Sequence, residues 1–168
     1  MLSENIINIY READGLQGRM DMGIAEKALE RRRDMSYIDK IKDRAKMDKK
    51  TIVLPESKDK RTLIAAAKIV EEGIADIIMV GNEEKITDGA GWLEVDLTGV
   101  AVIDPAKTSN LDEYVELLYE TRKAKGMTPE KARETLLNDY LTFGIVMVKA
   151  GDADGMVAGA CHSTAETL

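Results

Sequence analysis

The chain has 168 residues, of which 44% are hydrophobic and 33% are charged, and its 31 acidic and 24 basic side chains give a net charge of −7. This balance is typical of a soluble globular protein with a folded core, and it argues against a disordered or a membrane-spanning chain. No basic stripe with interleaved aromatic residues occurs, so we do not expect nucleic acid as a partner.

Targeting and metal-binding signals are also missing from the sequence. No apolar run approaches the ~20 residues that span a bilayer, and the amino terminus lacks the basic-then-apolar layout of a signal peptide. We therefore expect no membrane association and a cytoplasmic location. Cys161 and His162 are the only residues of their types. One Cys cannot form an internal disulfide, and this pair cannot hold a structural zinc alone, so no metal site is expected.

Residues 1–34 differ in character from the remainder and have only a weak helical periodicity. We interpret them as an N-terminal extension, ahead of an α/β domain that covers residues 35–168. Two interpretations of the extension stay open. In the first, it is a helical segment that packs on the domain. In the second, natural translation begins at Met35, and the codons for the preceding "ERRRD" are a ribosome-binding tract read as protein.

The pattern becomes regular after Met35. "SYIDKIKDRAKMDK" predicts a basic amphipathic helix, and the β-branched "TIVLP" predicts a buried strand that Pro55 stops. "RTLIAAAKIVEEG" predicts a helix that ends at Gly73. Its apolar face is predicted to consist of Leu63, Ile64, Ala67, Ile69 and Val70. "ADIIMVG" predicts a second strand.

The same order then repeats. After "NEEKI" we expect a loop containing Gly89, Gly91 and Trp92, followed by the strand "VAVID" and the helix "LDEYVELLYETRKAKG". A further helix is predicted to begin at Pro129. "YLTFGIVMVKAG" fits helix or strand, and we interpret it as a helix because "DGMVAG" supplies the next strand.

Alternating strands and helices predict an α/β fold with an open, mostly parallel sheet and helices on both faces. Ligands of such sheets bind at the carboxyl ends of the strands. Four loops are placed there by the predicted order: "PESKDKR", "GNEE", "DPAKT" and "GACHST".

The last of these loops is a candidate anion site. Ser163 and Glu166 form a capping-box pattern, which predicts a helix start at Ser163 or Thr164 with outward amides that suit a phosphate. Gly159 and Ala160 would allow a ligand to approach the backbone closely. An ordinary capped helix without a ligand is the alternative. The glycine spacing matches neither a dinucleotide fingerprint nor a P-loop.

Two arginines are further candidates. Arg61 lies in the first turn of a helix, where the helix dipole favours acids, so we hypothesise that it holds an anion. Arg122 is either a solvated i−4/i+3 partner on its helix or a phosphate clamp.

Other polar residues have more ordinary interpretations. Asp152 and Asp154 could act as metal ligands or acid–base groups, but we interpret them as turn residues that cap the start of a strand. Cys161 is interpreted as a packed or partly buried thiol, because sequence neighbours such as Cys161 and His162 rarely engage each other as a nucleophilic pair.

Three segments together resemble the phosphate acetyltransferase (phosphotransacetylase) family. They are "TIVLPESKDKRTLIAAAKIVEEGIADIIMVGNEEKI", "VELLYETRKAKGMT" and "GDADGMVAGACHSTAETL", which occur in family order and spacing from about Met35 to Leu168. The resemblance implies the truncated first domain of an isocitrate dehydrogenase-like fold. It implies an enzyme of acetate metabolism that interconverts acetyl-CoA and phosphate with CoA and acetyl phosphate, as a homodimer when full length and without metal or redox cofactor.

The resemblance also implies roles for single residues. Arg61, Arg122, Ser163 and Thr164 correspond to family positions that bind CoA or phosphate. The catalytic Ser, Arg and Asp of the family are expected beyond Leu168, so no catalytic residue is assigned here and the fragment is expected to be inactive alone. Cys161 need not be Cys in the family, and His162 is expected to orient the loop.

Two alternatives stay open beside this interpretation. The chain could belong to a phosphate butyryltransferase-like acyltransferase, since the acyl pocket is expected mostly beyond Leu168. It could also be a non-catalytic acetyltransferase-like regulatory domain of a malic enzyme, which would need a malic-enzyme domain upstream.

Overall fold

The computed structural model describes residues 36–161. The chain divides after Lys40 into two units, and the fold below is that of the second, which begins at Ile41. The predicted extension 1–34 and the predicted site residues Ser163 and Thr164 lie outside the described residues, as does His162.

Four strands form one parallel sheet in this part of the chain. They are β1 (Thr51–Leu54), β2 (Asp76–Val80), β3 (Ala101–Ile103) and β4 (Gly155–Met156), in the order β3-β2-β1-β4. In the register, Ile52 lies opposite Ile77 of β2 and Gly155 of β4, and Ile78 lies opposite Ala101. All three pairings are parallel, so the carboxyl ends of the strands meet at one edge of the sheet. We call this edge the carboxyl edge.

Helices connect the strands as the alternation predicts. The described helices are α1 (Tyr37–Met47), α2 (Lys60–Glu71), α3 (Glu83–Trp92), α4 (Leu111–Arg122), α5 (Pro129–Asn138) and α6 (Tyr140–Ala150), with a 3₁₀ turn at Lys123–Lys125 after α4. The ambiguous segment before β4 is therefore the helix α6. Within residues 36–161, no helix combines the length and the apolar character needed to cross a membrane.

The helices cover both faces of the sheet, which confirms the predicted α/β architecture. On one face, Val53 and Val80 pack with Tyr114 of α4, Leu136 of α5 and Phe143 of α6. The ring of Tyr114 meets Phe143 edge to face, with centroids 5.3 Å apart.

The opposite face of the sheet carries a second core. Leu54, Ile77 and Met79 pack there with Leu63 of α2 and Ile86 of α3. The two cores use alternate residues of β1 and β2, because successive side chains of a strand point to opposite faces.

Two details of the prediction were wrong. The expected loop at residues 89–92 is part of α3, which begins where the Asn82 side chain accepts the N–H of Lys85 at 3.1 Å. Burial of Ile86 and Ala90, one turn apart, outweighs the weak helix propensity of glycine. In α2, Ile64 is 48% exposed instead of buried. It lies about 100° around the helix from Leu63, which faces the core.

Candidate functional site

At the carboxyl edge, side-chain hydrogen bonds join the loops that follow neighbouring strands. Residues 56–61 follow β1, Asn82 follows β2, Asp104 follows β3 and residues 159–161 follow β4. These are the four loops that the sequence places at the ligand-binding edge of an open α/β sheet.

Glu56 occupies the centre of the contacts between β1 and β4. Its side chain is buried, with only 4% of the residue exposed. Its Oε2 accepts the N–H groups of Gly159 at 2.9 Å and Ala160 at 2.6 Å, and its Oε1 accepts the N–H of Cys161 at 2.9 Å. Hydrogen bonds to a carboxylate are charge-assisted, and they offset the cost of burying it. At Gly159 and Ala160, where the sequence predicts that a ligand could approach the backbone closely, the N–H groups are therefore already bonded to Glu56.

Arg61 lies beside this loop, at the start of α2. Asp59 caps the helix by accepting the backbone N–H of Arg61 at 2.8 Å, and it also accepts Nε at 3.0 Å and Nη2 at 2.6 Å. The Nη2 of Arg61 donates to the carbonyl oxygen of Ala160 at 2.5 Å as well. The guanidinium lowers the pKa of the Asp59 carboxyl, and that carboxylate raises the pKa of Arg61. Because Asp59 supplies a negative charge at the helix start, an arginine is tolerated there.

The arrangement leaves Arg61 accessible to a ligand. Its side chain is 67% exposed, and its Nη1 has no bond to any residue in the range 36–161. An anion that bound Arg61 would share the guanidinium with Asp59 and with Ala160. The role of Arg61 in anion binding stays a prediction.

Arg122 is the last residue of α4, where a positive charge interacts favourably with the helix dipole. It is exposed, and its side chain forms no hydrogen bond or ion pair with the other described residues. Its i−4 and i+3 neighbours are Leu118 and Lys125, so the helix offers no acidic partner at those positions. The structure does not connect Arg122 to Arg61, and its proposed use as a phosphate clamp stays a prediction.

Two further contacts tie the strand ends together. Ser57 donates its hydroxyl hydrogen to the carbonyl of Val80 at 2.7 Å, which joins the loop after β1 to the end of β2. Asn82 donates to Asp104 at 3.2 Å, which joins the loops after β2 and β3. With the bonds of Glu56, all four strand ends are linked by side chains. Side-chain hydrogen bonds therefore hold the loops of the carboxyl edge together.

Cys161 differs from its interpretation in one respect. The residue is exposed and not packed inside the domain. Desolvation raises the pKa of its thiol, and the neighbouring Glu56 carboxylate raises it further. A raised pKa lowers the fraction of reactive thiolate at neutral pH, which argues against a nucleophilic role, as the sequence predicted.

Asp152 and Asp154 lie at the start of β4, at the other end of the sheet. Asp154 accepts the N–H of Thr51 at 2.8 Å, and Asp152 accepts the hydroxyl of Tyr114 at 2.5 Å. These contacts match the capping role predicted for them. Among residues 36–161, no group of three or more His, Cys, Asp or Glu side chains is placed to hold a metal ion.

Two open depressions of the described surface lie elsewhere. They run along α5, and they are lined by residues such as Met127, Lys131 and Asn138 in one and Val115, Arg133 and Leu137 in the other. Neither is lined by a residue of the four carboxyl-edge loops. We place the candidate site at the carboxyl edge, because that edge combines an accessible cation with ordered loop backbone.

Glu56 is the residue that the sequence interpretation missed. The only local signal is an acidic residue directly after a buried strand, in the segment "TIVLPES". Its partners lie more than a hundred residues away along the chain, since the bonds to residues 159–161 span 103 to 105 positions. No local pattern announces such a contact.

Comparisons with known proteins place this architecture in a family. The family model described as "Phosphate acetyl/butaryl transferase" matches residues 36–168. A phosphate acetyltransferase of Acetivibrio thermocellus is 52% identical over 134 residues, which cover 80% of this chain and 40% of that protein. A phosphate acetyltransferase of Thermoanaerobacterium thermosaccharolyticum is 48% identical over the same coverage of both chains.

Two solved structures are similar to the described fold. The EutD phosphotransacetylase of Staphylococcus aureus has 40% identity and a TM-score of 0.67, over 74% of this chain and 37% of its own. A phosphotransacetylase of Streptococcus pyogenes has 34% identity and a TM-score of 0.72, over 79% of this chain and 41% of its own. The chain spans about 40% of the length of the curated relatives named above. Because this family model matches residues 36–168, which is most of the chain, the chain belongs to the phosphate acetyl/butaryl transferase family.

Proposed function

We propose that this chain is part of a phosphate acetyltransferase, which converts acetyl-CoA and phosphate into acetyl phosphate and CoA and catalyses the reverse reaction. The observation that carries the proposal is the 52% identity, over 134 residues, to a protein of that name. The relatives named above are acetyltransferases, which favours an acetyl substrate over a butyryl one. We also propose that the full-length enzyme is cytoplasmic and forms a homodimer.

The geometry suits anionic substrates. CoA, phosphate and acetyl phosphate all carry negative charge, and ligands of open α/β sheets bind at the carboxyl edge. Arg61 supplies an accessible guanidinium there, and the loop after β4 continues in sequence to Ser163 and Thr164. We propose Arg61, Arg122, Ser163 and Thr164 as residues that bind CoA or phosphate. None of them is assigned a catalytic role.

The chemistry of the proposed reaction needs no metal or redox cofactor. The sulfur of CoA attacks the carbonyl carbon of acetyl phosphate, a C–S bond forms, the C–O bond to phosphate breaks, and phosphate leaves. The thiol must first lose its proton to a base, because the thiolate is the competent nucleophile. Positive charge and N–H donors stabilise the oxyanion and the departing phosphate. Glu56 already accepts the amides of residues 159–161, so these three N–H groups are not available as donors to phosphate in this arrangement.

A binding experiment tests the substrate assignment on the chain itself. We expect calorimetric titration to detect weak CoA binding by the 168-residue chain, and Arg122→Ala to weaken it by about tenfold, which is the loss of one charge-assisted contact. Arg133→Ala is the matched control, because Arg133 is also an exposed helical arginine but forms an ion pair with Asp112 of α4. Equal losses in both variants, or an unchanged affinity in Arg122→Ala, would argue against a specific site.

A chimera tests the activity. Residues 36–168 replace the aligned segment of the Acetivibrio thermocellus phosphate acetyltransferase, and formation of acetyl phosphate from acetyl-CoA is measured beside the butyryl reaction. We expect acetyl transfer by the chimera and none by the 168-residue chain alone. A folded chimera that prefers butyryl-CoA would overturn the acetyl assignment, and acetyl transfer by the isolated chain would overturn the expectation that it is inactive.

A further inference from the structure

Glu56 is a buried acid that the proposed reaction does not use. Its carboxylate is 4% exposed and accepts three successive backbone amides of the loop after β4. Burying a charged group is costly unless its oxygens are hydrogen-bonded. An apolar residue would fill this position without that cost, so the carboxylate needs an explanation in terms of the loop it bonds.

The loop has little other support among the described residues. β4 is two residues long, and the last sheet hydrogen bond is donated by Val157 to the carbonyl of Val53 at 3.0 Å. Gly159 follows with a φ of +111°, a conformation that favours glycine and turns the chain away from the strand direction. Beyond Val157, Glu56 and Arg61 in residues 56–61 supply hydrogen bonds to the backbone of residues 159–161.

Those contacts bond both polar backbone groups of Ala160. Its N–H donates to Glu56 at 2.6 Å, and its carbonyl accepts from Nη2 of Arg61 at 2.5 Å. A negative and a positive side chain therefore fix both polar groups of one peptide segment, which determines the orientation of the backbone as well as its position.

We propose that Glu56 is a positioning residue of the substrate site: it fixes the backbone of residues 159–161 at the carboxyl edge, beside Arg61. The inference rests on the proposed function, which places CoA or phosphate at this edge. Glu56 acts through the loop backbone and does not touch the substrate. A carboxylate suits the task because both of its oxygens accept, whereas the amide of glutamine offers only one acceptor.

Glu56→Gln tests the proposal in the 168-residue chain. The variant keeps the size of the side chain but turns one acceptor into a donor that faces an N–H group. We expect amide hydrogen exchange, followed by NMR, to become at least tenfold faster at one or more of residues 159–161. We expect the dissociation constant for CoA, measured by calorimetry with inorganic phosphate as a second probe, to rise at least fivefold.

Asp154→Asn is the matched control. Asp154 is also a carboxylate that accepts a backbone N–H, that of Thr51 at 2.8 Å, but it lies at the opposite end of the sheet from residues 159–161. The variant should leave both the exchange pattern of residues 159–161 and the CoA affinity unchanged. If Glu56→Gln does not fold, Glu56→Asp, which keeps the charge on a shorter side chain, takes its place with the same two measurements.

The outcomes separate the alternatives. Faster exchange together with weaker binding supports the proposal. Unchanged exchange overturns it, and so does faster exchange with unchanged CoA affinity, because the loop would then be held without consequence for the site. Equal losses in Asp154→Asn would show a general loss of stability and overturn it too. If the wild-type chain binds neither CoA nor phosphate, the proposed site itself fails, and the positioning role fails with it, whatever the exchange data show.

Discussion

Gly81 directly follows β2 and lies close to Ser57, Tyr140 and Ile86, which makes Gly81→Ala a sharp test of the packing at the carboxyl edge. Its φ is +154°, and its N–H donates to the carbonyl of Ile103 at 2.9 Å. A Cβ at this position would lie 2.4 Å from Oγ of Ser57, 3.2 Å from the ring of Tyr140 and 3.3 Å from Ile86. The first distance is too short for any real contact, so a neighbour must move.

The size of the effect follows from these contacts. Holding alanine at a φ that favours glycine costs about 1–3 kcal/mol. Overpacking adds a further ~1–3 kcal/mol, and displacing the Ser57 hydroxyl from the Val80 carbonyl costs about 1 kcal/mol. Because the backbone and the neighbours relax in part, we expect Gly81→Ala to lower the free energy of unfolding by roughly 3–5 kcal/mol. This is a large share of the ~5–15 kcal/mol of a typical domain.

Urea unfolding followed by far-ultraviolet circular dichroism measures this loss. Fluorescence of Trp92 is a poor probe, since Trp92 is 90% exposed in the folded chain. Ser57→Ala removes the nearest atom, so a double-mutant cycle isolates the clash. We expect the double variant to be about 1 kcal/mol more stable than the sum of the single losses predicts. Additive losses, or a Gly81→Ala variant within about 0.5 kcal/mol of the wild type, would refute the reasoning.

Two further predictions concern α4 and α6. Gly144→Ala in α6 would bring a Cβ to 2.8 Å from Sδ of Met156 and 3.1 Å from Cγ1 of Val53. The methionine can move but the strand valine cannot, so the cost of overpacking should exceed the gain in helix propensity of about 1 kcal/mol. We therefore expect a lower thermal unfolding midpoint, and a higher midpoint would contradict this. Burial, with the hydrogen bond to Asp152, raises the pKa of Tyr114 to about 12. The contribution of this raised pKa to stability is therefore present below pH ~10 and is lost as the pH rises through 12. In urea titrations, Tyr114→Phe should therefore lose less free energy of unfolding at alkaline pH than the wild type does. Identical pH profiles would argue against this.

Local sequence signals account for most of the fold. β-branched runs predict β1 and β2, Pro129 marks the start of α5, and the alternation of elements predicts the parallel sheet that is observed. These signals succeed because periodicity, caps and breakers act between residues only a few positions apart. The family resemblance covers the same residues that the family model matches, from residue 36 onward.

Tertiary packing settles the features that local signals could not. α3 forms in spite of its glycines because Ile86 and Ala90 are buried against the sheet, and Ile64 faces outward because the core selects another face of α2. The guanidinium of Arg61 bonds both Asp59 and Ala160, while its side chain stays 67% exposed.

The role of Glu56 depends on the longest-range contacts of this edge, across 103 to 105 positions. A buried carboxylate finds its donors only after the strands have assembled side by side, because loops at distant positions of the chain become neighbours at that step. The side-chain hydrogen bonds of the candidate site therefore depend on the order of the strands in the sheet. The helices and strands that carry these side chains are predicted by short stretches of sequence.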